Sequence, residues 1–501
     1  MISPGFFGLF NAHRGILAAQ SALDVINHNV ANAATPGYSR QRVDLAAYFP
    51  YQAPGLNAPP GQFLQMGQGV IAEEITRLRD SFLDTQYRVE HSTQGLNVST
   101  NQTLKELEGI LTEPSDEGIN AAIQRFFDSA QAMALSPENI AARTQFMQSA
   151  ADMVDTFKLQ ANQLQSLRDN LVGNAGVAAS IPISQLGISV TQVNEALQTI
   201  VRLNQQINTV TASGAQPNDL LDQRDKILDD LSEIIDLDIT PLANNQISIR
   251  IGGELMVNGV TLSNTLEVIA NPGPAPTPDD QPTLVRTVTG TVNITNTIAG
   301  GKIRSILNMG GVSTTQATVR GLLNNLNSLL TTIRDRVNAI QTTTSFDLNG
   351  AAGVQPIFNT TAGAGLDIFR ITVNPTVSAD PRLIAAAFND GSGFLGVGDN
   401  RNAQNMVDLF NQTFAALGNT GFKDYFDSVV SKLGIDAAAF KDRATSQSNL
   451  VNSLDTRREA VFGVNVDEEM IDMLRFQRAL EASSRMVRVF DDVAKTIIGM
   501  V

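Results

Sequence analysis

The chain has 501 residues, a formal net charge of −15 and no cysteine. An acidic chain without clusters of lysine and arginine is not expected to bind nucleic acid, and the absence of cysteine excludes disulfides and thiolate metal sites. The length predicts about two to four domains, with ample material for buried cores.

The first predicted element is a helix that can begin at Ser3-Pro4 and must stop near Thr35-Pro36-Gly37, because proline and glycine there break the pattern. Apolar residues recur along it every three or four positions. Such spacing is typical of a helix that packs one stripe against a partner helix. This N-terminal seam consists of Leu9, Ala12, Ile16, Ala19, Leu23, Ile26, Val30 and Ala33.

The surface outside this seam is nearly uncharged. Between Phe6 and Ala33 the only full charges are Arg14 and Asp24, whereas a helix that faces water usually carries charges opposite its apolar stripe. The first helix is therefore predicted to contact protein on most of its sides. We expect no signal peptide at the start of the chain and no membrane span along it, since neither apolar pattern is visible.

The segments after the first helix alternate between irregular, helical and strand-like patterns. Residues 38–72 are predicted to be irregular because their prolines forbid long helices, and residues 76–235 follow a helical period. Between residues 236 and 309 the period changes to two, with Ile247, Ile249 and Ile251 alternating with polar residues and turn signals at Gly252-Gly253 and Asn258-Gly259.

Two further patterns complete the middle of the chain. The five prolines of Pro272–Pro282 predict an exposed extended loop. A helical period returns over residues 315–344, a second glycine-rich, β-like stretch covers residues 346–397, and helices resume from residue 402.

The last element is a long helix whose start is marked by Asn465, a plausible cap, with Glu468 three residues on. Its apolar residues are again spaced three and four apart, and charged residues line its other faces. This C-terminal seam consists of Met473, Phe476, Leu480, Val487, Phe490, Ala494 and Ile497, with the polar Ser483 between them.

Two seams at opposite ends of one chain predict that the terminal helices pair with each other or with copies of themselves. The fold expected is mainly α with an inserted β-rich domain, an elongated out-and-back rod with terminal helices in a coiled-coil-like bundle. An ordinary bundle closed by the two helices is the alternative. Three domains are predicted. A terminal helical assembly domain is formed by residues 1–72 plus 455–501, and a helical rod domain by residues 73–235 plus 315–345 plus 398–454. A small β-rich outer domain is formed by residues 236–314 plus 346–397.

No set of residues predicts an enzyme. The three histidines, His13, His28 and His91, are too scattered for a metal cluster. Asp347-Leu348-Asn349-Gly350 is similar to the opening of a calcium loop, but Phe358 stands where the bidentate Glu belongs. We expect no catalytic residue, cofactor or metal.

The segment Asn29-Val30-Ala31-Asn32-Ala33-Ala34-Thr35-Pro36-Gly37-Tyr38-Ser39-Arg40-Gln41 resembles the N-terminal motif of bacterial flagellar axial proteins, the family of rod, hook and junction subunits. Further matches follow in order over nearly the whole chain, at residues 69–83, 218–225, 346–350, 398–402 and 463–469. The short span from Gly350 to Gly398 leaves little room for the further outer domain of some members. The motif residues are Asn29, Ala31, Asn32, Thr35, Gly37, Tyr38, Arg40 and Gln41.

The resemblance implies a structural subunit of the hook–filament junction, since Gly-Tyr-Ser-Arg-Gln is most similar to the junction members. It implies export through the flagellar type III apparatus, an extracellular place on the flagellum, and polymerisation through the terminal helices. The implied partners are copies of the chain, the hook protein, the second junction protein and an export chaperone. The alternatives are another axial subunit, such as the second junction protein or the hook protein, and, from a different class, a secreted coiled-coil adhesin or effector.

Overall fold

The computed structural model is mainly α-helical, with small antiparallel sheets between the helices. It describes residues 7–49, 67–111, 115–174, 177–270, 283–312, 318–343, 345–363, 365–389, 391 and 393–499. The predicted proline loop, Pro272–Pro282, therefore lies outside the described residues, as does the predicted helix start at Ser3-Pro4.

The chain opens with a long helix, α1 (Phe7–Asn32), and an antiparallel hairpin of β1 (Gln41–Ala47) and β2 (Val70–Arg77). Gln41 pairs with Arg77 and Ala47 with Val70. The expectation that residues 38–72 are irregular is wrong for these strands. The prolines lie between the strands rather than in them, so they do not interrupt the ladder.

A run of helices follows the hairpin. Each long amphipathic segment begins where the sequence offers a cap or a break. Asn139 accepts a hydrogen bond from the Ala141 backbone N–H at 2.9 Å, and Ser184 does so from Gly187 at 3.1 Å. These helices are α2 (Ser81–Leu111), α3 (Ile119–Leu135), α4 (Ile140–Val172), α5 (Gln185–Ala212) and α6 (Asn218–Ile234).

The first β region contains the predicted strand with period two, and its isoleucines Ile249 and Ile251 are fully buried. The turns predicted at Gly252-Gly253 and Asn258-Gly259 are confirmed, since they connect successive strands and the glycines have positive φ. A four-stranded sheet and a separate hairpin form from β3 (Asp238–Pro241), β4 (Ile247–Ile251), β5 (Glu254–Asn258) and β6 (Thr261–Leu262), and from β7 (Leu266–Ala270) and β8 (Thr283–Thr287).

After α7 (Gly301–Leu307) and α8 (Val319–Thr343) comes a second region of short elements: β9 (Ser345–Phe346), β10 (Phe358–Thr360), β11 (Ile371–Val373), α9 (Pro375–Ala379) and β12 (Ala387–Phe388). Its strands pair as β9–β12 and β10–β11, and within the described residues none pairs with β3–β8. The two excursions thus form separate sheets, β7 against α5 and β11 against α4. The partition into three domains stays a prediction.

The chain ends with α10 (Arg401–Asp408), α11 (Phe422–Phe462) and α12 (Val466–Ile498). α11 packs along α2, and α12 packs along α1. The out-and-back arrangement with paired terminal helices is therefore confirmed. Among the described residues, no helix has the length and apolar character that crossing a bilayer requires.

The main hydrophobic core lies in α2–α11, called the helical body below. Its buried residues run from Leu104 to Ala437 and include the contacting rings of Phe126 and Phe146, 5.1 Å apart. No residue of α1 or α12 belongs to this core. The two terminal helices, called the terminal pair below, therefore rely on contacts of their own.

Candidate assembly surface

The terminal pair is held by unusually close contacts between its two helices. A Cβ atom added to Gly8 would lie 1.9 Å from the Phe490 ring, and one added to Gly15 would lie 2.8 Å from Ser483 Oγ. The two glycines are seven residues apart, and so are their partners in reverse order. α1 and α12 therefore run antiparallel in a heptad register. At these two positions α1 has a glycine, and the larger side chain of α12 packs against it.

The predicted N-terminal seam lies partly on this contact. Ala12, Ala19 and Ile26 are buried, Leu9, Ile16, Leu23 and Val30 are half-buried, and Ala33 is exposed beyond the end of α1. The other buried side chains of α1 are those of Phe7, Ala18, Ala22, Val25 and Asn29. The buried face of α1 is wider than the predicted seam and is centred on a different side of the helix. The reason is that β1 and β2, as well as α12, pack against α1.

The predicted C-terminal seam faces α1 but stays half open. Met473, Phe476, Leu480, Val487, Phe490 and Ala494 are all half-buried. The side chain of Ile497 lies outside the described part of the chain. Among the described side chains of α12, only that of Glu469 is buried, at 1% exposure. The monomer thus leaves the C-terminal seam incompletely covered.

A second apolar stripe on α12 points away from α1. Ile471 follows Glu469 by two residues and Val489 follows Val487 by two, and two residues turn a helix by about 200°. Both are more than half exposed, at 66% and 54%. This outer stripe consists of Ile471, Leu474, Ala482, Met486, Val489 and Val493, all exposed. α12 therefore carries exposed apolar residues outside the side that α1 covers, in two parts that Arg475 and Arg478 divide.

The motif segment forms a loop fixed by one buried amide. The Asn29 side chain accepts from the Tyr38 hydroxyl at 2.8 Å and from the Gln41 N–H at 2.9 Å. It donates to the Gln41 carbonyl at 2.9 Å and to Glu469 of α12 at 3.0 Å. Asn29 thus ties the end of α1, the start of β1 and the start of α12 together.

Arg40 fastens the same loop to the last two helices. Its backbone N–H donates to the Phe462 carbonyl at the end of α11, at 2.8 Å. Its guanidinium lies 2.7 Å from Glu468 and 2.7 Å from Glu469. Asn465 caps α12 by accepting from the Asp467 N–H at 3.0 Å, which confirms the predicted cap.

The tip of the motif loop is exposed, although its sides are anchored. Thr35 and Gly37 are exposed, as is Ala31 in the last turn of α1, and Gly37 has a φ of 82°, which favours glycine. Asn32 donates to the His28 carbonyl at 3.0 Å and accepts from Thr35 at 3.3 Å. The loop therefore presents small residues to the outside on a rigid base.

Polar groups of the helical body hold the other side of the loop. Asp222 accepts from the Ser39 N–H at 2.9 Å and from its hydroxyl at 2.7 Å, and Asp219 accepts from the Gln41 amide at 2.8 Å. Burial, followed by the charge of Asp219, raises the pKa of the Tyr38 hydroxyl. The phenol thus remains neutral, and donates to Asn29, throughout the ordinary pH range.

A network of alternating charges, called the joint below, connects the hairpin to α2, α6 and α11. Arg79 contacts Asp84 at 2.9 Å, Arg88 contacts Asp229 at 2.6 Å, and Arg458 bridges Asp84 and Asp229 at 2.9 and 2.6 Å. Its members, linked by ion pairs of 4.0 Å or less, are Arg77, Arg79, Arg88 and Arg458 with Asp84, Asp222, Asp225 and Asp229.

The joint contains four arginines and four aspartates, so its charges are balanced. This balance explains how its side chains remain ionised although they are little exposed to solvent. Burial alone would raise the pKa of Asp225, but the guanidinium groups of Arg79, Arg77 and Arg88 together hold it below its ordinary value. Asp225 therefore remains ionised. Removing any single partner would leave an uncompensated charge in a poorly hydrated place.

The sequence patterns did not find the joint. Its members are spread from Arg77 to Arg458. Asp84 and Arg88 stand four residues apart on α2, a spacing typical of a local pair, but this spacing does not reveal their partners on α6 and α11. Within the described residues, no group of three or more His, Asp or Glu side chains is arranged to hold a metal ion. The charged side chains of the joint thus join structural elements.

Comparisons with known proteins agree with this geometry. The model of the flagellar hook-associated protein FlgK helical domain matches residues 104–358, and that of the flagellar basal body rod FlgEFG protein C-terminal region matches residues 462–500. Flagellar hook-associated protein 1 of Bacillus subtilis is 29% identical over 99% of this chain and 98% of its own length. Its counterpart in Salmonella typhimurium is 26% identical over 98% and 99%.

A solved structure shows the same fold. The flagellar hook junction protein FlgK from Burkholderia pseudomallei superimposes with a TM-score of 0.61 at 16% identity. The match covers 75% of this chain and 100% of that one.

Proposed function

The chain belongs to the family of flagellar hook-associated protein FlgK, and from that premise we propose that it is a structural subunit of the hook–filament junction of the bacterial flagellum. The family is one of structural flagellar proteins. Its match over residues 104–358 favours this function over a hook subunit or an unrelated secreted adhesin.

The observation that carries the proposal is the outer stripe of α12. A soluble monomer rarely exposes a large contiguous apolar patch, and such patches mark contacts with other proteins. Ala482, Met486, Val489 and Val493 form one such patch over about three turns, on a side of α12 that α1 does not cover. A second copy of the chain that covered the outer stripe would enclose α12 between two partners, as in a tube wall built from terminal helices.

Assembly would also complete the two seams. The predicted seam residues of α12 are half-buried in the monomer, so each has apolar surface left to bury. At about 25 cal/mol per Å² of apolar surface, small gains along a helix of this length sum to a stable contact. We propose that this additional burial, repeated in every subunit, drives polymerisation.

The partners follow from the family and belong to the proposal. We propose that copies of the chain form the junction, with the hook protein on one side and the second junction protein on the other. Export through the flagellar type III apparatus, with a chaperone that covers the apolar helices beforehand, would place the subunit outside the cell. The chaperone would prevent the exposed outer stripe from binding other proteins before the subunit assembles.

Deleting the gene from its own bacterium tests the function. We expect cells that carry hooks without filaments and release filament subunits into the medium, with swimming restored by the full-length chain. Electron microscopy of the cells and immunoblotting of the medium give the result. Normal filaments on the hooks of the deletion strain would refute the proposal.

A further inference from the structure

The methionines of this chain fall into two groups by burial. In the helical body every described methionine is at most 4% exposed: Met133, Met147, Met153, Met256, Met309 and Met406. On α12, Met470 and Met486 are 51% and 49% exposed, and Met473 is half-buried. Accessible thioethers among the described residues are therefore confined to the last helix.

No thiol competes with them. The chain has no cysteine, whose thiolate would otherwise react first with a peroxide. Among the residues that the structure describes, the exposed sulfur atoms that a peroxide can reach in the folded monomer therefore all lie on α12.

The two exposed methionines differ in their surroundings. Met486 lies within the outer stripe, between Ala482 and Val489. Met470 directly follows Glu469 and Met486 directly precedes Val487, so each lies about 100° from a residue that faces α1. One turn away from Met470 stand the charged Asp467 as well as Leu474. Oxygen added to Met486 would enter an uncharged part of the stripe, whereas oxygen added to Met470 would lie beside the carboxylate of Asp467.

We propose that Met486 is an oxidation site through which a peroxide prevents the unassembled subunit from polymerising; the inference rests on the proposed function. The Sδ lone pair attacks one peroxide oxygen, so that an S–O bond forms while the O–O bond breaks. The proton of the transferred oxygen passes to the departing hydroxide, which leaves as water. Sulfur loses two electrons to the peroxide, and the sulfoxide oxygen then lacks a hydrogen-bond donor in the subunit contact.

Peptide mapping tests the selectivity. The purified full-length chain is treated with hydrogen peroxide and digested, and each methionine is scored by mass spectrometry. We expect Met486 and Met470 to be oxidised while Met133 and Met147 remain reduced. Oxidation of the body methionines at the same rate, or protection of Met486, would overturn the proposal.

Binding of the treated chain to isolated hooks tests the consequence. We expect sulfoxide at Met486 to weaken binding by about tenfold or more, and the methionine sulfoxide reductases MsrA and MsrB to restore it. Met486→Leu should bind equally with and without peroxide. Met470→Leu, the matched control, should bind normally before treatment and lose binding after it. Met486→Gln should bind poorly without any oxidant.

The outcomes separate the two proposals. Untreated wild-type chain that fails to bind hooks would count against the proposed function. Untreated chain that binds, together with oxidised chain that binds equally well, would overturn only the inference about Met486. Loss of binding by oxidised Met486→Leu would overturn it too, since another site would then be responsible.

Discussion

In the helical body, Phe126, Phe146 and Phe157 are at most 1% exposed, whereas no described apolar side chain of α12 is buried. Both regions are built from long amphipathic helices. The body surrounds each helix with several others, so its apolar faces are complete within one chain. α12 has α1 on one side and solvent on the other.

The difference shows which region depends on other subunits. Helices gain most of their stability from tertiary packing, not from intrinsic propensity. The body is therefore expected to fold and melt as a unit whether or not the subunit assembles. The terminal pair is expected to open more easily in the monomer and to be stabilised in the junction.

The largest expected effect comes from a charge in the outer stripe. Val489→Asp should abolish addition of the chain to hooks, because an unpaired carboxylate buried in a subunit contact costs several kcal/mol. The melting temperature of the monomer should not change, since Val489 is 54% exposed. Hook-binding assays and calorimetry measure the two properties.

Gln477→Asp is the matched control for Val489→Asp. Gln477 is an exposed residue of α12 outside the outer stripe, so the same carboxylate there should leave hook binding intact. Normal binding of Val489→Asp would show that the outer stripe is not a subunit contact.

A smaller effect is expected from breaking the joint. Arg458→Ala leaves Asp84 and Asp229 without a shared cation, and loss of one partner of a buried network costs roughly 3 kcal/mol. Arg458 is 3% exposed, whereas its neighbour Arg457 is exposed. Arg457→Ala should therefore be nearly neutral. Denaturant unfolding compares the two, and equal stabilities would mean that the joint contributes little.

The glycine contacts of the terminal pair give the next test. Gly8→Ala should force α12 away from α1 at a cost of about 1–3 kcal/mol, because the new methyl group overlaps the Phe490 ring. Gly434→Ala on α11 is the control, since no atom lies within 4 Å of its added Cβ. That change should stabilise the chain by up to about 1 kcal/mol. Hydrogen exchange of α12 amides should accelerate only in Gly8→Ala.

The periodicity of the sequence located α1 and α12 and predicted that they pair. It did not single out Gly8 and Gly15, because glycine is not counted among the apolar residues of a seam. A glycine nevertheless permits the closest approach of two helices. It also placed the buried face of α1 too narrowly. Ala22 and Asn29 are also buried, and α1 contacts both α12 and the strands β1 and β2, whose pairing depends on residues far apart in the chain.

The motif shows the same limit. Asn29, Tyr38, Arg40 and Gln41 were recognised as a pattern, but a pattern does not reveal what each residue contacts. Their partners include Glu469, 440 residues from Asn29. A single sequence shows local periods well, and it shows long-range polar networks such as the joint only after the fold brings their members together.

The smallest expected effect is that of acid on the stability of the helical body. Asp225 has a pKa held below its ordinary value by Arg79, Arg77 and Arg88, so its contribution to stability is complete above the unfolded pKa of about 3.9. It is lost as the pH falls from there through the folded pKa. Stability should therefore decrease as the pH falls below about 4 in the wild type, and less steeply in Asp225→Asn. Asp230→Asn, which changes an exposed pair with Lys226, should keep the wild-type slope. Denaturant unfolding at each pH gives the slopes, and identical slopes for all three chains would show that Asp225 is not a source of the acid sensitivity.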